Sequence, residues 1–428
     1  MDRALLGIEP FEICSIRPPT ENCSLTFRLT RNCYWNRCKF CPVYKLGARF
    51  QKRALEDVLA DIKHARRIDD LLFDEGVVTP FYTGNVLARA DALAEKIRAA
   101  KGEFLPQEDE SQEYGEDPDP RIAWFMQWFK DKPNLRDSFS HVASWRVSGG
   151  QTCFLGDADG LILKPDFASR VIDQIRTEFT SITRFTMYGR TKTAASVRTL
   201  KDLKAFRKAG LHRVHFGVES GSDEVLAFMD KGATSSEHIE AGIRTRDAGL
   251  SCSVYVMPGL GGRTLSQAHA KDTAAVLTKM SPDYIRLRSL EIFPRTPLEE
   301  AVKNGVFTEA SEEEVVKEIR TIVEETRCST EILSDSASNL LQVGGRLPDD
   351  RDAMLSEIDS YLLLGPRERK LFSIHARLQS FIGQYGGISY DIACLLNPYR
   401  KADRLDFHDA SDDELDTLIR MVRSRLMP

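Results

Sequence analysis

The sequence has no long hydrophobic run and little excess of charge of one sign. None of its apolar stretches approaches the 18 or so residues that a membrane-spanning helix needs, and its first residues are too acidic for a secretory signal. The 428 residues carry a net charge of only −5, which gives no electrostatic reason to expect a nucleic-acid backbone as the main partner. We therefore expect a cytoplasmic protein with no membrane association and no nucleic-acid partner.

Cysteine lacks the spacing of a disulfide framework. The nine cysteines are an odd number scattered through a long chain, which is typical of reduced thiols. No second C-x2-C or Cys/His pair is present to complete a structural zinc site, which needs four nitrogen or sulfur ligands. We expect the cysteines without cluster spacing to be buried packing residues: Cys153, Cys252, Cys328 and Cys394.

Three further cysteines stand close together after an apolar, strand-like segment. Cys33, Cys38 and Cys41 form a C-x4-C-x2-C pattern, and the aromatic Phe40 precedes the last of them. Three thiolates can ligate three irons of a [4Fe–4S] cluster and leave the fourth iron open to a small molecule. A zinc knuckle and a chance grouping without a cofactor are the alternatives that the triplet alone leaves open.

The rest of the chain alternates strand-like and helix-like segments. The hydrophobic patterns predict six strands, each followed by a helical segment, at 25–29, 151–155, 184–188, 211–218, 251–257 and 283–290. Six βα units fall short of the eight of a complete barrel, so we predict an α/β fold with a partial (βα)6 TIM-like barrel of parallel strands. An open doubly wound sheet is the alternative, but the first strand is followed by cysteines instead of a Gly-x-Gly-x-x-Gly turn.

The sequence divides into three predicted parts. An N-terminal extension covers 1–23, the barrel covers 24–292, and a mainly helical C-terminal cap covers 293–428. Within the barrel we expect an acidic insertion at about 101–120 and an aromatic segment at 121–150.

Polar residues follow the second and third predicted strands, at the strand ends where parallel βα folds place their sites. Gly156, Asp157 and Asp159 combine a residue that admits close approach with two carboxylates that can receive a cation. A turn capped by the two aspartates is the alternative. Arg190 can hold a carboxylate bidentately or neutralise these aspartates.

The later strands also end in polar or glycine-rich segments. Glu219 and Ser220 lie in a Gly-Val-Glu-Ser-Gly segment after the fourth strand, and Met257 and Pro258 begin a glycine-rich turn after the fifth. On the sixth strand two arginines, Arg286 and Arg288, fall on one face.

If that face points inward, the two guanidinium groups favour an anionic substrate such as a carboxylate or phosphate; if it points outward, they are surface charges. The polar loop 334–339 supplies two further candidate substrate contacts, Asp335 and Asn339.

The cysteine triplet with Phe40 resembles the radical S-adenosylmethionine (radical SAM) superfamily, whose commonest spacing, C-x3-C-x2-C, is one residue shorter. The Gly-Val-Glu-Ser-Gly segment resembles that of the Elongator-catalytic-subunit-like and methylthiotransferase branches. The resemblance implies a [4Fe–4S] cluster held by Cys33, Cys38 and Cys41, with S-adenosylmethionine (SAM) as the second cofactor.

The same resemblance assigns the remaining cofactor residues. Gly156, Asp157 and Asp159 stand where many members carry a Gly-Gly-Glu segment that receives the methionyl ammonium of SAM, and Arg190 would hold its carboxylate. The segment with Glu219 and Ser220 is implied to lie near the ribose and methionyl part, and the segment that begins with Met257 and Pro258 against adenine.

The implied reaction is reductive cleavage of SAM to methionine and a 5′-deoxyadenosyl radical, which abstracts hydrogen from an unidentified, anionic small-molecule substrate. A reductant such as flavodoxin or ferredoxin would supply the electron. Two alternatives remain: an iron–sulfur electron-transfer or scaffold protein that cleaves no SAM, and a methylthiotransferase-type modifier. Methylthiotransferases have three more cysteines in an added N-terminal domain, whereas only Cys14 and Cys23 precede the triplet here.

Overall fold

The computed structural model describes residues 7–14, 16–43, 45, 49–79, 85–102, 122, 133–385, 387–402 and 404–426. Nearly all of the predicted acidic insertion and much of the aromatic segment lie outside these residues. In the part of the chain that is described, no helix has both the length and the apolar character required to cross a membrane.

The strands are, in chain order, β1 Leu25–Arg28, β2 Thr30–Arg31, β3 Gln51–Lys52, β4 Thr152–Gly156, β5 Arg184–Gly189, β6 Leu211–Glu219, β7 Ser251–Val256, β8 Tyr284–Leu287, β9 Thr330–Leu333, β10 Gly345–Leu347, β11 Arg400–Lys401 and β12 Arg404–Leu405. All six strands expected from the hydrophobic pattern are present, at bounds close to those predicted.

The α-helices are, in chain order, α1 Leu55–Asp74, α2 Val86–Lys101, α3 Leu135–Val147, α4 Pro165–Glu178, α5 Leu200–Ala209, α6 Asp223–Phe228, α7 Ser235–Asp247, α8 Gly262–Met280, α9 Pro297–Lys303, α10 Glu312–Glu325, α11 Arg351–Leu362, α12 Pro366–Tyr385, α13 Tyr390–Leu396 and α14 Asp412–Arg423.

The chain forms two compact units. The first comprises residues 1–36, 43–216 and 240–252, and the second comprises 37–42, 217–239 and 253–428. The bounds of the units fall inside the cysteine segment and inside β6, α7 and β7. The three parts predicted from the sequence stay a prediction.

In the first unit, parallel strands follow one another in the order β1, β4, β5, β6. Most of their residues are buried, with Phe27, Phe154 and Phe185 in the core, as expected for strands covered on both faces. Helix α4 begins at Pro165, which suits the first turn because its missing N–H needs no partner there. Its buried face packs against α1 and α5, so helices cover the strands and hold their carboxyl ends in place.

In the second unit, β7, β8 and β9 run parallel, and β10 pairs antiparallel with β9. Helix α8 packs against α10, which in turn contacts α11. Helices α12 and α14 form a separate apolar cluster around buried residues such as Ile374 and Leu415. The predicted α/β class, with parallel strands alternating with helices and a mainly helical C-terminal part, is confirmed.

Three details differ from what the sequence indicated. The mainly helical C-terminal part also contains the short strand β9, because four residues are too few for the pattern to distinguish a strand. The helical segment expected after the third predicted strand is interrupted at Arg198, where Thr199 begins a new helix through a reciprocal capping box with Asp202. Cys394 is exposed, whereas the other cysteines predicted to be buried are buried.

Candidate active site

The cysteine triplet begins one residue after a backbone turn. Asn32, which follows β2, has φ +68° and accepts a hydrogen bond from the Cys33 amide through its side-chain oxygen at 2.7 Å. Asparagine tolerates this left-handed conformation better than most residues because its short side chain can bond locally. Cys33 lies in the first unit, and Cys38 and Cys41 lie in the second. All three are partly exposed and form no disulfide.

Asp157 anchors the start of this loop. Its Oδ2 accepts hydrogen bonds from the Asn32 amide at 3.0 Å and from Arg28 Nη2 at 3.1 Å. The Arg28 and Asp157 side chains are 8% and 2% exposed, so they form a buried ion pair. The structure therefore shows Asp157 binding the residue before Cys33, a role that the sequence analysis did not assign to it. Its predicted contact with the methionyl ammonium stays a prediction.

Gly156, the last residue of β4, has a packing requirement of its own. A Cβ added to it would lie 2.0 Å from Cys14 Sγ and 2.7 Å from Cys14 Cβ. The absence of a side chain therefore makes room for Cys14, and the sequence-based argument of close approach to a ligand is not needed to explain this glycine.

Asp159 and Arg190 are brought together in the first unit. The Arg190 backbone amide donates to Asp159 Oδ1 at 3.1 Å, and the Thr193 hydroxyl donates to Asp159 Oδ2. Asp159 is buried, and this burial raises the pKa of its carboxyl to about 6. The Asp159 carboxylate thus links the end of β4 to the end of β5. One of its oxygens accepts the hydrogen bond of the first backbone amide after β5.

The Arg190 guanidinium lies over two aromatic rings of the cysteine loop. Its central carbon is 5.1 Å from the ring centroids of both Tyr34 and Trp35. The Tyr34 hydroxyl is also 3.0 Å from Thr193 Oγ1, so the cysteine loop contacts both Arg190 and Thr193, which follow β5. A cation over aromatic faces is held by the ring quadrupoles. The sequence analysis had not connected these aromatic residues with Arg190.

Glu219 ends β6, and its side chain occupies space that Gly217 leaves open. It has φ +66°, and a Cβ on Gly217 would lie 2.3 Å from Glu219 Oε1. That oxygen accepts from Lys231 Nζ at 3.0 Å in a pair that is about one-tenth exposed. The Glu219 carbonyl accepts from the Met257 amide at 2.9 Å, which joins the two predicted cofactor segments of the second unit.

Ser220 is fully buried and belongs to a local network. Its Oγ is 2.8 Å from His269 Nδ1 and accepts from the Ser222 amide at 3.1 Å. Burial lowers the pKa of His269 to about 4, so this imidazole is neutral at neutral pH. Ser220 therefore orients the backbone of the Gly-Val-Glu-Ser-Gly segment.

The turn after β7 is held by hydrogen bonds to residues that lie outside this strand. The Pro258 carbonyl accepts from the Leu290 amide at 2.8 Å, and the Gly259 amide donates to Glu318 on α10 at 2.5 Å. Burial raises the pKa of the Glu318 carboxyl to about 7. This carboxylate was not among the predicted site residues, since its helix is distant in sequence and shows only an amphipathic pattern.

Phe40 is buried in an apolar cluster of the second unit. The cluster includes Met229, Leu260 and Leu298, and the partly buried Cys38 and Cys41 pack against it. The backbone between these cysteines is held on both sides: the Lys39 amide donates to Met229 O at 2.9 Å, and Lys39 O accepts from the Leu298 amide at 3.1 Å. The aromatic residue before the last cysteine thus anchors this half of the loop.

The candidate substrate residues have structural partners. Arg286 is fully buried and donates to Asp335 Oδ2 at 2.6 Å, so the two predicted contacts neutralise each other. Asn339 accepts from the Ser289 amide at 2.8 Å and donates to Leu287 O at 2.7 Å, which fixes the end of β8. Arg288 lies just beyond β8 and is half-buried, and its predicted place on the same face as Arg286 stays a prediction.

The donor set of the cysteine loop fits an iron–sulfur cluster. It offers three thiols, and no histidine or carboxylate lies between Cys33 and Cys41. Among the described residues no three His, Cys, Asp or Glu side chains gather where one metal ion would fit. Each cysteine of a cubane binds a different iron, so a cluster does not require the sulfurs to converge on a single ion.

Comparison with known families identifies the class of protein. Residues 145–273 match the Radical SAM superfamily, a stretch that includes the strand ends with Asp157, Arg190, Glu219 and Met257 and begins after the cysteine triplet. Over this stretch the chain is similar to the radical SAM superfamily, as the sequence analysis predicted. The cofactors of the class are a [4Fe–4S] cluster and SAM.

Individual relatives match parts of the chain. The tRNA uridine(34) acetyltransferase of Methanocaldococcus infernus is 29% identical over 121 residues, which are 28% of this chain and 22% of that protein. An uncharacterised methyltransferase of Pyrococcus horikoshii is 31% identical over 108 residues, or 25% of this chain and 23% of that protein. The solved structure of M. infernus Elp3 lacking residues 1–46 has a TM-score of 0.37 and 19% identity, and the match covers 50% of this chain and 55% of that one. The chain thus spans less than a quarter of the length of the curated relatives.

Proposed function

We propose that this protein cleaves SAM reductively and uses the resulting 5′-deoxyadenosyl radical to abstract a hydrogen atom from an organic substrate. The observation that carries the proposal is the cysteine triplet at 33–41, in the same chain as a later stretch, 145–273, that is similar to the radical SAM superfamily. A bound, reduced cluster supplies the electron that breaks the sulfonium bond. The protein binds and orients the cofactors and excludes side reactions.

Cys33, Cys38 and Cys41 are the proposed cluster ligands. Their thiolates would bind three irons and leave one for the amino and carboxylate groups of SAM. Asp157 supports this role in the first unit, because its bond to the Asn32 amide holds the backbone before the first ligand. Phe40 supports it in the second unit by burying its ring beside the other two cysteines.

The predicted cofactor residues suit different parts of SAM. We assign Asp159 and Arg190 to the methionyl ammonium and carboxylate, since a carboxylate and a guanidinium complement those charges. Glu219 and Ser220 are assigned to the ribose and methionyl part. The backbone that begins at Met257 and Pro258 is assigned to adenine.

No contact among the described residues indicates the electron donor or the substrate, so both are proposed on other grounds. We propose a small iron–sulfur protein or flavoprotein, such as ferredoxin or flavodoxin, as reductant. The Arg286–Asp335 pair removes the main argument for an anionic substrate, because each charge compensates the other. A small organic molecule stays the proposed substrate class. Some curated relatives are named for an activity on tRNA, so tRNA is the second candidate.

The test uses anaerobically reconstituted protein, dithionite and SAM, with 5′-deoxyadenosine as the measured product. The wild type is expected to form it, and Cys38→Ala is expected to form none and to lose iron. Cys394→Ala is the matched control, since this cysteine is exposed and outside the triplet. If the wild type produces no 5′-deoxyadenosine, or if Cys38→Ala equals it, the proposal is wrong.

Bulk tRNA added to the same assay separates the two substrate classes. A tRNA-modifying enzyme is expected to form more 5′-deoxyadenosine when unmodified tRNA is present and to change the mass of a nucleoside in it. If tRNA leaves the rate and the nucleoside masses unchanged, a small molecule is favoured.

A further inference from the structure

The second unit contains a buried carboxylate that the proposed reaction does not use directly. We propose that Glu318 is a positioning residue that holds the Met257–Gly262 turn in the conformation that binds SAM. This inference rests on the proposed function, because the turn is assigned to adenine there. Glu318 itself is not proposed to touch the cofactor.

Both carboxylate oxygens of Glu318 bind groups of the turn or of the helix that follows it. Oε2 accepts from the Gly259 amide at 2.5 Å, and Oε1 accepts from the Ser266 hydroxyl at 2.5 Å. Glu318 is only 2% exposed, so these bonds are shielded from water. A buried carboxyl group whose two oxygens accept from two different donors is a directional restraint on a backbone amide.

The turn requires such a restraint because its conformation is unusual. Gly259 has φ +89°, a region that favours glycine, and a Cβ on it would lie 3.2 Å from Val315 Cγ2. Gly262 has φ +57°, and a Cβ there would lie 2.6 Å from Thr308 O. Glycines lose more conformational freedom on folding than other residues do, so the turn needs contacts that select one conformation.

Glu318 also connects this turn to the Gly-Val-Glu-Ser-Gly segment. Its Oε2 is 3.7 Å from His269 Nε2, and His269 Nδ1 is 2.8 Å from Ser220 Oγ. The three side chains are buried and lie in one row from α10 to the end of β6. The two segments assigned to the nucleoside part of SAM therefore share one support.

The experiment compares Glu318→Ala, Glu318→Gln and Glu324→Ala in the reconstituted protein. Glutamine keeps an acceptor for the Gly259 amide, and its NH₂ group can donate to Ser266, whose hydroxyl also accepts. Glu324 is the control, because it lies on the same helix in an exposed pair with Arg320. Iron content, the Kd for SAM by equilibrium dialysis, and kcat and KM for 5′-deoxyadenosine formation are measured for each.

We expect Glu318→Ala to weaken SAM binding by about tenfold, because it leaves the buried Gly259 amide without this acceptor and part of that cost falls on the bound turn. KM for SAM should rise more than kcat falls, and the iron content should stay at the wild-type level. Glu318→Gln should bind SAM within a few-fold of wild type, and Glu324→Ala should equal it. A general structural defect would instead lower iron, kcat and binding together and would not be rescued by glutamine.

If Glu318→Ala does not yield folded protein, Ser266→Ala provides the same test. It removes only the hydroxyl that orients the carboxylate, and we expect it to weaken SAM binding by a few-fold. A wild type that cleaves SAM, together with Glu318→Ala and Ser266→Ala variants that bind SAM as the wild type does, would refute the role of Glu318 alone. A wild type that neither binds nor cleaves SAM would refute the proposed function instead.

Discussion

Removing the Asp157 carboxylate is expected to lower both the stability of the first unit and the retention of the cluster. Asp157→Ala removes the carboxylate that pairs with the buried Arg28 guanidinium and accepts from the Asn32 amide. Breaking a buried ion pair by deleting one member costs about 3–5 kcal/mol, because the remaining charge is uncompensated. In a unit of roughly 200 residues this lowers the melting temperature by about 10 °C.

A double variant separates stability from the anchoring of the cysteine loop. Replacing the whole pair by apolar residues, as in Arg28→Met with Asp157→Leu, removes the uncompensated charge and is often neutral for stability. It still removes the carboxylate that accepts from the Asn32 amide, so the backbone before Cys33 loses this restraint. We expect the double variant to melt near the wild type and still to retain less iron and sulfide after reconstitution and gel filtration.

The assays are thermal unfolding of the apoprotein and iron and sulfide content of the reconstituted protein. Glu12, Arg53 and Asp61 form a neighbouring buried ion-pair group in the same unit, and Asp61→Asn there serves as a control for general destabilisation. An Asp157→Ala protein that melts with the wild type would contradict the energetic argument. Full iron content in the double variant would contradict the anchoring role.

Two further predictions concern the second unit. Gly221→Ala places a Cβ 2.4 Å from the backbone oxygen of Asp272, which cannot move without moving α8, so we expect a loss of about 1–3 kcal/mol in the free energy of unfolding. Gly344→Ala, whose added Cβ meets nothing closer than 3.4 Å, should be nearly neutral, and equal urea midpoints for the two variants would contradict this reasoning. The second prediction is that the free energy of unfolding depends on pH through Glu318. Because the pKa of its carboxyl is raised from 4.5 to about 7, its contribution to stability is full below about pH 4.5. This contribution is lost as the pH rises through 7. Wild type should therefore lose a few kcal/mol relative to Glu318→Gln between pH 5 and 8, since one pKa unit is about 1.4 kcal/mol, and parallel stability curves would show that Glu318 titrates normally.

Local patterns were sufficient for the six predicted strands. They also mark helix ends: Ser311 and Glu314 form the capping box that begins α10, and Gly210 takes the left-handed conformation that ends α5. These signals depend on residues three or four positions apart, which is why they can be read from the sequence. Strand β9 was missed because four alternating residues give too little periodicity to identify it.

The sequence by itself determined the chemistry that the chain can offer: three thiols in one loop, and polar residues at the ends of strands that alternate with helices. Only the tertiary structure decided what several of those residues do. Asp157 binds the amide of Asn32, 125 positions earlier, and Arg286 is neutralised by Asp335, 49 positions later. Such partners become neighbours only when strands and helices pack, because periodicity fixes the face of an element and leaves open which distant residue will lie against it.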